Sequence, residues 1–237
     1  MALPKLNVPQ YKVTLPSTSE QLNMRPYLVK EEKVLLMALE SKDPEQITEA
    51  IRNIITGCYN IKDVNKLTSF DLEYLFLQLR AKSVGEKLKL RYTCQADDCQ
   101  FETPAELDIE KLEVSGLDQQ TTYMLNEEMG VGISMRYPTL SALEDMKNTN
   151  LDTAEGLLEL VRVCIETIFD KDSVYNVEDH TPEELSDFVG NFTAEQFKYV
   201  QEFFLNVPAI VYKTEYDCRE CGHTNEIEIK GLQSFFT

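Results

Sequence analysis

The sequence is poor in the residues on which catalytic sites most often depend. Its 237 residues include two histidines, His180 and His223, and nine glycines. Neither histidine lies near a serine or cysteine in a nucleophile motif. The sequence also contains no G-x-S-x-G motif, phosphate-binding glycine loop, H-E-x-x-H motif or dinucleotide-binding fingerprint. We therefore expect the chain not to be an enzyme and to have no small-molecule substrate.

Positive charge and long apolar runs are also scarce. Lysine and arginine number 23 against 41 acidic residues, which gives a net charge of −18. Phosphates of nucleic acids and anionic membrane surfaces repel such a chain, so we expect neither as a partner. The first 16 residues contain prolines and polar residues instead of the apolar run of a signal peptide, and apolar stretches such as residues 34–39 are too short to span a bilayer. These features predict folding in a cytoplasm.

The acidity has two interpretations, which are solvation of the surface and attraction to basic protein surfaces. Negative charge is dense between residues 178 and 202, where Lys198 is the single basic residue. The acidic residues of this segment are Glu178, Asp179, Glu183, Glu184, Asp187, Glu195 and Glu202. The segment is either a solvated helix face or a docking site for a basic partner.

Hydrophobic periodicity predicts an α+β fold. The predicted parts are an N-terminal extended segment with helices (residues 1–85), a β-rich region (86–137 and 209–237) and an inserted helical block (138–208). In the first part, apolar residues recur at helical spacing over residues 29–41, 43–57 and 69–84. After Gly85 the period changes to the alternation of a half-buried strand.

The inserted block is predicted to be helical over residues 140–148, 153–169, 182–189 and 194–205. Two of these helix starts carry capping boxes, T-P-E-E at residues 181–184 and T-A-E-Q at residues 193–196. Further strands are expected on either side of the last cysteine pair, over residues 211–216 and 226–230.

Four of the six cysteines form two close pairs. Cys94 and Cys99 have C-x4-C spacing, and Cys218 and Cys221 have C-x2-C spacing. In a reducing cytoplasm such pairs are better read as metal ligands than as disulfides. Zinc binds four thiolates tetrahedrally, and each pair can supply two of them from one tight turn. We predict a small antiparallel sheet with a split zinc ribbon, in which the strands before Cys94 and Cys218 share one sheet.

Other states of these cysteines remain open, namely unmetallated thiols, a redox pair, or a disulfide formed later in an oxidising medium. His223 is an alternative ligand, although an ordinary turn residue is the simpler reading. Cys58 and Cys164 lie on apolar helical faces and are predicted to fill the core. A shell of four cysteines leaves no position open for water, so the zinc would be structural.

Two stretches of the N-terminal part resemble a known family. They are RPYLVKEEK at residues 25–33, continuing to MALES at 37–41, and FDLEYLFL at residues 70–77, continuing to LRAKSVGE at 79–86. With the Tyr-x-Cys knuckle at residues 92–94, they are similar to the baseplate hub assembly proteins of T-even-type contractile-tailed bacteriophages. The resemblance is strong over the first hundred residues and looser beyond them.

This resemblance implies a role in building the hub of the tail baseplate in the cytoplasm of the infected bacterium. The partners would be other hub proteins or the tape-measure protein. The chain would be an assembly factor or chaperone, or alternatively a permanent structural subunit retained in the virion. A host-directed zinc-ribbon adaptor is disfavoured, because the predicted ribbon strands lack a basic face.

Overall fold

Most helices and strands of the chain lie where the hydrophobic period of the sequence predicts them. The computed structural model describes residues 7–230. Its helices are α1 (Val29–Ser41), α2 (Pro44–Cys58), α3 (Ser69–Ser83), α4 (Leu140–Asp145), α5 (Ala154–Cys164), α6 (Pro182–Gly190) and α7 (Ala194–Leu205). None of these helices in the described part of the chain is long and apolar enough to cross a membrane.

The strands are short and pair in an antiparallel sense. They are β1 (Tyr11–Thr14), β2 (Gln21–Met24), β3 (Lys87–Thr93), β4 (Glu102–Asp108), β5 (Glu113–Ser115), β6 (Thr122–Asn126), β7 (Val131–Met135), β8 (Ile165–Phe169), β9 (Val174–Asn176), β10 (Ala209–Asp217) and β11 (Thr224–Lys230). They form sheets of order β1-β2, β3-β4, β11-β10-β5 and β6-β7-β8-β9. Helices with small antiparallel sheets confirm the α+β class.

The chain forms two compact units, one from residues up to 115 together with those from 209 onward, the other from residues 116–208. The second unit is therefore an insertion between β5 and β10, which pair within the first. The three-part division at residues 1–85, 86–137 with 209–237, and 138–208 stays a prediction.

Helix α3 is the central helix of the first unit. Phe70, Leu75, Phe76 and Leu79 are almost completely buried, as expected for a helix that is apolar on more than one side. Its start is determined locally, because the Thr68 hydroxyl accepts a hydrogen bond from the backbone N–H of Asp71. Burial of α3 therefore gives the strands that follow it a fixed apolar surface on which to pack.

The two cysteine-bearing hairpins of the first unit pack on each other through apolar faces. Leu88, Leu90 and Leu107 of the β3–β4 hairpin share one core cluster with Ile210 and Ile227 of β10 and β11. The prediction that the strands before Cys94 and Cys218 share one sheet is wrong, since β3 pairs with β4 and β10 pairs with β11 and β5. The two hairpins thus belong to different sheets, which are joined by the packing of their side chains.

The second unit packs helices α5, α6 and α7 with a four-stranded sheet. Its core contains Ile133, Ile165, Val200 and Phe203, all below 1% exposed. The predicted capping boxes are confirmed at α6, where Thr181 pairs with Glu184, and at α7, where Thr193 pairs with Gln196.

One predicted helix of this unit is too long. The sequence predicts a helix over residues 153–169, but α5 ends at Cys164 and residues 165–169 form β8. Ile165, Thr167, Ile168 and Phe169 are β-branched or aromatic, and such residues favour strands. The pairing of β8 with β7 on one side and β9 on the other then outweighs the helical spacing of these residues.

Candidate metal centre

The turn between β3 and β4 carries the first cysteine pair. The pairing of β3 with β4 ends at Thr93 and Glu102, and Cys94 follows Thr93 directly. The Cys94 N–H donates to the Phe101 carbonyl at 3.0 Å, and the Cys99 N–H donates to the Ala96 carbonyl at 3.0 Å. These bonds curl the turn so that both cysteines belong to one compact knuckle.

The turn between β10 and β11 carries the second pair. The Cys218 N–H donates to the His223 carbonyl at 2.8 Å, and the Gly222 N–H donates back to the Cys218 carbonyl at 2.9 Å. Gly222 has a φ of +74°, a conformation that glycine adopts without the steric cost of a side chain. The glycine after Cys221 thus lets the chain reverse within one turn.

The four sulfur atoms converge in the first unit. The Sγ atoms of Cys94 and Cys221 are 3.7 Å apart, and those of Cys99 and Cys218 are 3.8 Å apart. All four Sγ atoms lie within 4.8 Å of one another. Four thiolates around one zinc ion, each about 2.3 Å from it, have tetrahedral edges of about 3.8 Å. The four cysteines can therefore hold a metal ion.

A disulfide does not account for this arrangement. Bonded sulfur atoms are about 2.05 Å apart, far closer than either of the two short pairs. All four cysteines are free thiols, with Cys94 and Cys218 buried, Cys99 half-buried and Cys221 exposed. Each short sulfur pair joins one hairpin to the other, so an ion bound here would cross-link the two hairpins.

The thiols of this cluster differ in acidity. Backbone N–H groups of Cys221 and Glu220 lower the pKa of Cys218 to about 7. The Phe101 N–H lowers the pKa of Cys99, but burial and the hydrogen bonds with the three neighbouring sulfurs together outweigh it and raise that pKa to about 12. Thiolates crowded in this way disfavour one another's charge, and a divalent cation between them would compensate it.

Polar side chains bridge the hairpins beside the sulfurs. Asn225 is 1% exposed, and its Oδ1 accepts from the Gln95 N–H at 2.7 Å while its Nδ2 donates to the His223 carbonyl at 3.0 Å. The Tyr216 hydroxyl donates to the Thr93 carbonyl at 3.3 Å. Sequence reasoning missed these residues, because nothing in an alternating strand distinguishes an asparagine that reaches across to another hairpin.

The remaining thiols and His223 lie outside the cluster. His223 is exposed and contributes its backbone carbonyl, while the group of close metal-binding atoms in the described residues consists of the four cysteines. Cys58 and Cys164 are 4% and 0% exposed, which confirms that they fill the core. Burial raises the pKa of Cys58 to about 11 and of Cys164 to about 12, so both are protonated, unreactive thiols.

The acidic residues between 178 and 202 lie in the second unit, on and just before α6 and α7. All seven are exposed. Glu184 has a structural task as well, since its carboxylate accepts the Thr181 N–H at 2.9 Å and lies 3.5 Å from His180 Nδ1. The others are exposed to solvent, where they are available to a partner.

Comparison with known proteins identifies the family of this chain. A family model described as T4 bacteriophage base plate protein matches residues 8–237, and the chain belongs to that family. The baseplate hub assembly protein gp26 of Enterobacteria phage T4 is 27% identical over 228 residues, which cover 96% of this chain and 98% of that protein. No solved structure matches the chain. The resemblance carried by the two N-terminal stretches is thereby confirmed.

Proposed function

We propose that the chain is an assembly factor of the phage tail baseplate hub, acting as a chaperone for other hub proteins or the tape-measure protein. The observation that carries the proposal is similarity to a hub assembly protein along nearly the whole of both chains. The action is binding, without catalysis. It takes place in the cytoplasm of the infected bacterium, and nucleic acids, membranes and small-molecule substrates are not partners.

The structural part of the proposal is one zinc ion held by Cys94, Cys99, Cys218 and Cys221. Sulfur separations near the edge of a zinc–thiolate tetrahedron support it. So does the convergence of the four on one point from turns 119 residues apart in sequence. Four thiolates fill the coordination shell, so the ion stabilises the paired hairpins and activates no water.

The exposed acidic residues between 178 and 202, on and just before α6 and α7, form the proposed docking surface for a basic region of the partner. We call this surface the acidic face. Its charges would accelerate encounter more than they would deepen affinity. Association should slow as salt rises, because screening shortens the field to about 8 Å at physiological ionic strength. The complex itself should persist, since apolar contacts would provide most of the affinity.

Co-expression with each hub protein, followed by affinity capture, identifies the partner. Reversing Glu183, Asp187 and Glu202 to lysine then tests the acidic face, and Glu184 is left in place because it caps α6. We expect the association rate to fall at least about tenfold at low salt. Unchanged association kinetics would show that these carboxylates are merely solvated.

A matched control distinguishes the effect of charge at the acidic face from the effect of net charge on the association rate. Reversal of Glu127, Glu128 and Glu155 changes the net charge equally at exposed positions elsewhere in the same unit. This variant should associate at nearly the wild-type rate. An equal loss in both variants would assign the effect to net charge alone.

Mass spectrometry of purified virions tests the chaperone role. An assembly factor should be absent or far below stoichiometric in the finished particle. A fixed number of copies per virion would instead favour a permanent structural subunit of the hub, and would contradict the chaperone proposal.

A further inference from the structure

Helix α1 carries apolar side chains on its outer side as well as on its buried side. Leu35 and Ala38 face inward and are buried. Val29 is 80% exposed, Leu36 is 53% exposed and Met37 is 60% exposed. Exposed apolar side chains that form one contiguous patch rimmed by polar residues mark interaction sites, whereas singly scattered ones are ordinary.

The exposed residues of α1 have the spacing of one continuous stripe. Val29, Lys33, Leu36, Met37 and Glu40 follow each other at steps of three, four and one, which places them on one side of a helix. We call this stripe the α1 outer face. Its centre is Leu36 with Met37, and the two charged residues flank that centre.

The two charged side chains of the α1 outer face are exposed to solvent. Lys33 and Glu40 are both exposed and, within residues 7–230, neither side chain has a hydrogen-bond or ion-pair partner. They are seven positions apart and therefore lie about two turns from each other, too far to pair within one helix. The face thus presents one positive and one negative charge at equal distances from an apolar centre.

We propose that the α1 outer face binds the same face of a second copy of this chain, with the two helices antiparallel. A two-fold axis between Leu36 and Met37 places Leu36 of each copy against Met37 of the other. The same axis places Lys33 of each copy opposite Glu40 of the other, so the dimer contains two ion pairs. This is the self-complementary pattern that a symmetric dimer requires.

The charge pattern selects this occupant and this orientation. A parallel pair would set Lys33 against Lys33 and Glu40 against Glu40, which is repulsive. A partner with a uniformly basic or acidic helix would satisfy one of the two charges and oppose the other. The face is locally neutral in a chain of net charge −18, so it is also a place where two copies approach with little repulsion.

The size of the face predicts a weak dimer. Helix α1 has 13 residues and is about 20 Å long, so the pair buries less than the roughly 1,600 Å² of a standard stable interface. We expect a dissociation constant on the order of 10 to 100 µM. The pairing does not depend on the proposed hub role, and its test needs no other phage protein.

Sedimentation equilibrium of the full chain, from about 1 to about 300 µM at physiological salt, measures the dimer. Lys33→Glu and Glu40→Lys should each weaken it at least about tenfold, because each turns two attractive contacts into repulsive ones. Mixing the two variants should restore the wild-type affinity, since every facing pair is then again of opposite sign. A wild-type chain that stays monomeric over the whole range would overturn the proposal.

Matched controls separate this interface from general effects. Lys198→Glu makes the same change in net charge at an exposed position on α7 and should leave the dimer intact. Leu36→Glu should abolish the dimer, whereas Leu205→Glu, at a leucine that is 79% exposed, should not. A dimer that survives Leu36→Glu, or a mixture of charge variants that fails to recover, would place the contact elsewhere.

Discussion

Replacing one cysteine of the cluster should release the proposed zinc ion and destabilise the first unit. The perturbation is Cys218→Ser, which takes one of the two buried sulfurs from the cluster. Wild-type protein purified without chelator should contain about one zinc per chain, and the variant close to none, because three cysteines and a serine bind zinc far more weakly.

The expected loss of stability follows from the two hairpins that the proposed ion would connect. Cys99 and Cys218 are 119 positions apart, and a cross-link closing a loop of that order stabilises a fold by about 4.7 kcal/mol in the chain-entropy view. The shared apolar cluster of the hairpins and the hydrogen bond made by Asn225 also hold the two hairpins together without the ion. We therefore expect a loss of about 3 kcal/mol, equivalent to a fall in Tm of about 6 to 12 °C.

The assay measures the Tm by thermal unfolding and the zinc content of the same samples by elemental analysis. Chelator added to the wild type should lower its Tm as the substitution does. Cys58→Ala is the matched control, since it removes a buried thiol outside the cluster. It should cost about 1 kcal/mol and leave the zinc content unchanged. A wild-type protein that is metal-free yet melts at the same temperature with and without zinc would refute the reasoning.

Three further predictions concern polar contacts of the fold. Asn225→Ala should lower the free energy of unfolding by about 1 kcal/mol and weaken zinc retention, because it removes the buried amide that accepts the Gln95 N–H, as measured by denaturation and chelator competition. Thr193→Ala should cost about 1 kcal/mol by removing the N-cap of α7, and Thr193→Ser, which keeps the hydroxyl, should cost far less. Glu31→Gln should cost about 1.5 kcal/mol at pH 7, because the Arg25 guanidinium donates to this carboxylate at 2.8 Å and holds its pKa below the ordinary range. That stabilisation is present above the unfolded pKa of about 4.3 and is lost as the pH falls through the folded pKa. The free energies of unfolding of the wild type and Glu31→Gln should therefore become equal in acid. A difference that stays constant down to pH 2 would contradict the pairing.

Local signals in the sequence were sufficient for most helices. Helix α1 occupies the predicted residues 29–41, and α6 and α7 start where their capping boxes lie. These signals act within a few residues of one another, so they do not depend on the rest of the fold. The paired spacing of Cys94 with Cys99 and of Cys218 with Cys221 is local in the same sense.

Distant contacts decided the rest. Residues 165–169 became β8 because strands on both sides pair with them, and sequence periodicity carries no information about such neighbours. The two cysteine hairpins belong to separate sheets, because β3 pairs with β4 whereas β10 pairs with β11 and β5. Their apposition, and the bridge made by Asn225, arises when apolar faces far apart in sequence are buried together.

The sequence by itself determined the class of fold, the helix starts, the identity of the four clustered cysteines and the family. Those properties are encoded in residue type and short-range spacing. Tertiary structure alone decided that the four sulfurs meet at one point and that α1 exposes an apolar stripe with balanced charges. Both depend on which surfaces the folded chain buries, and burial is a property of the whole chain and not of any segment.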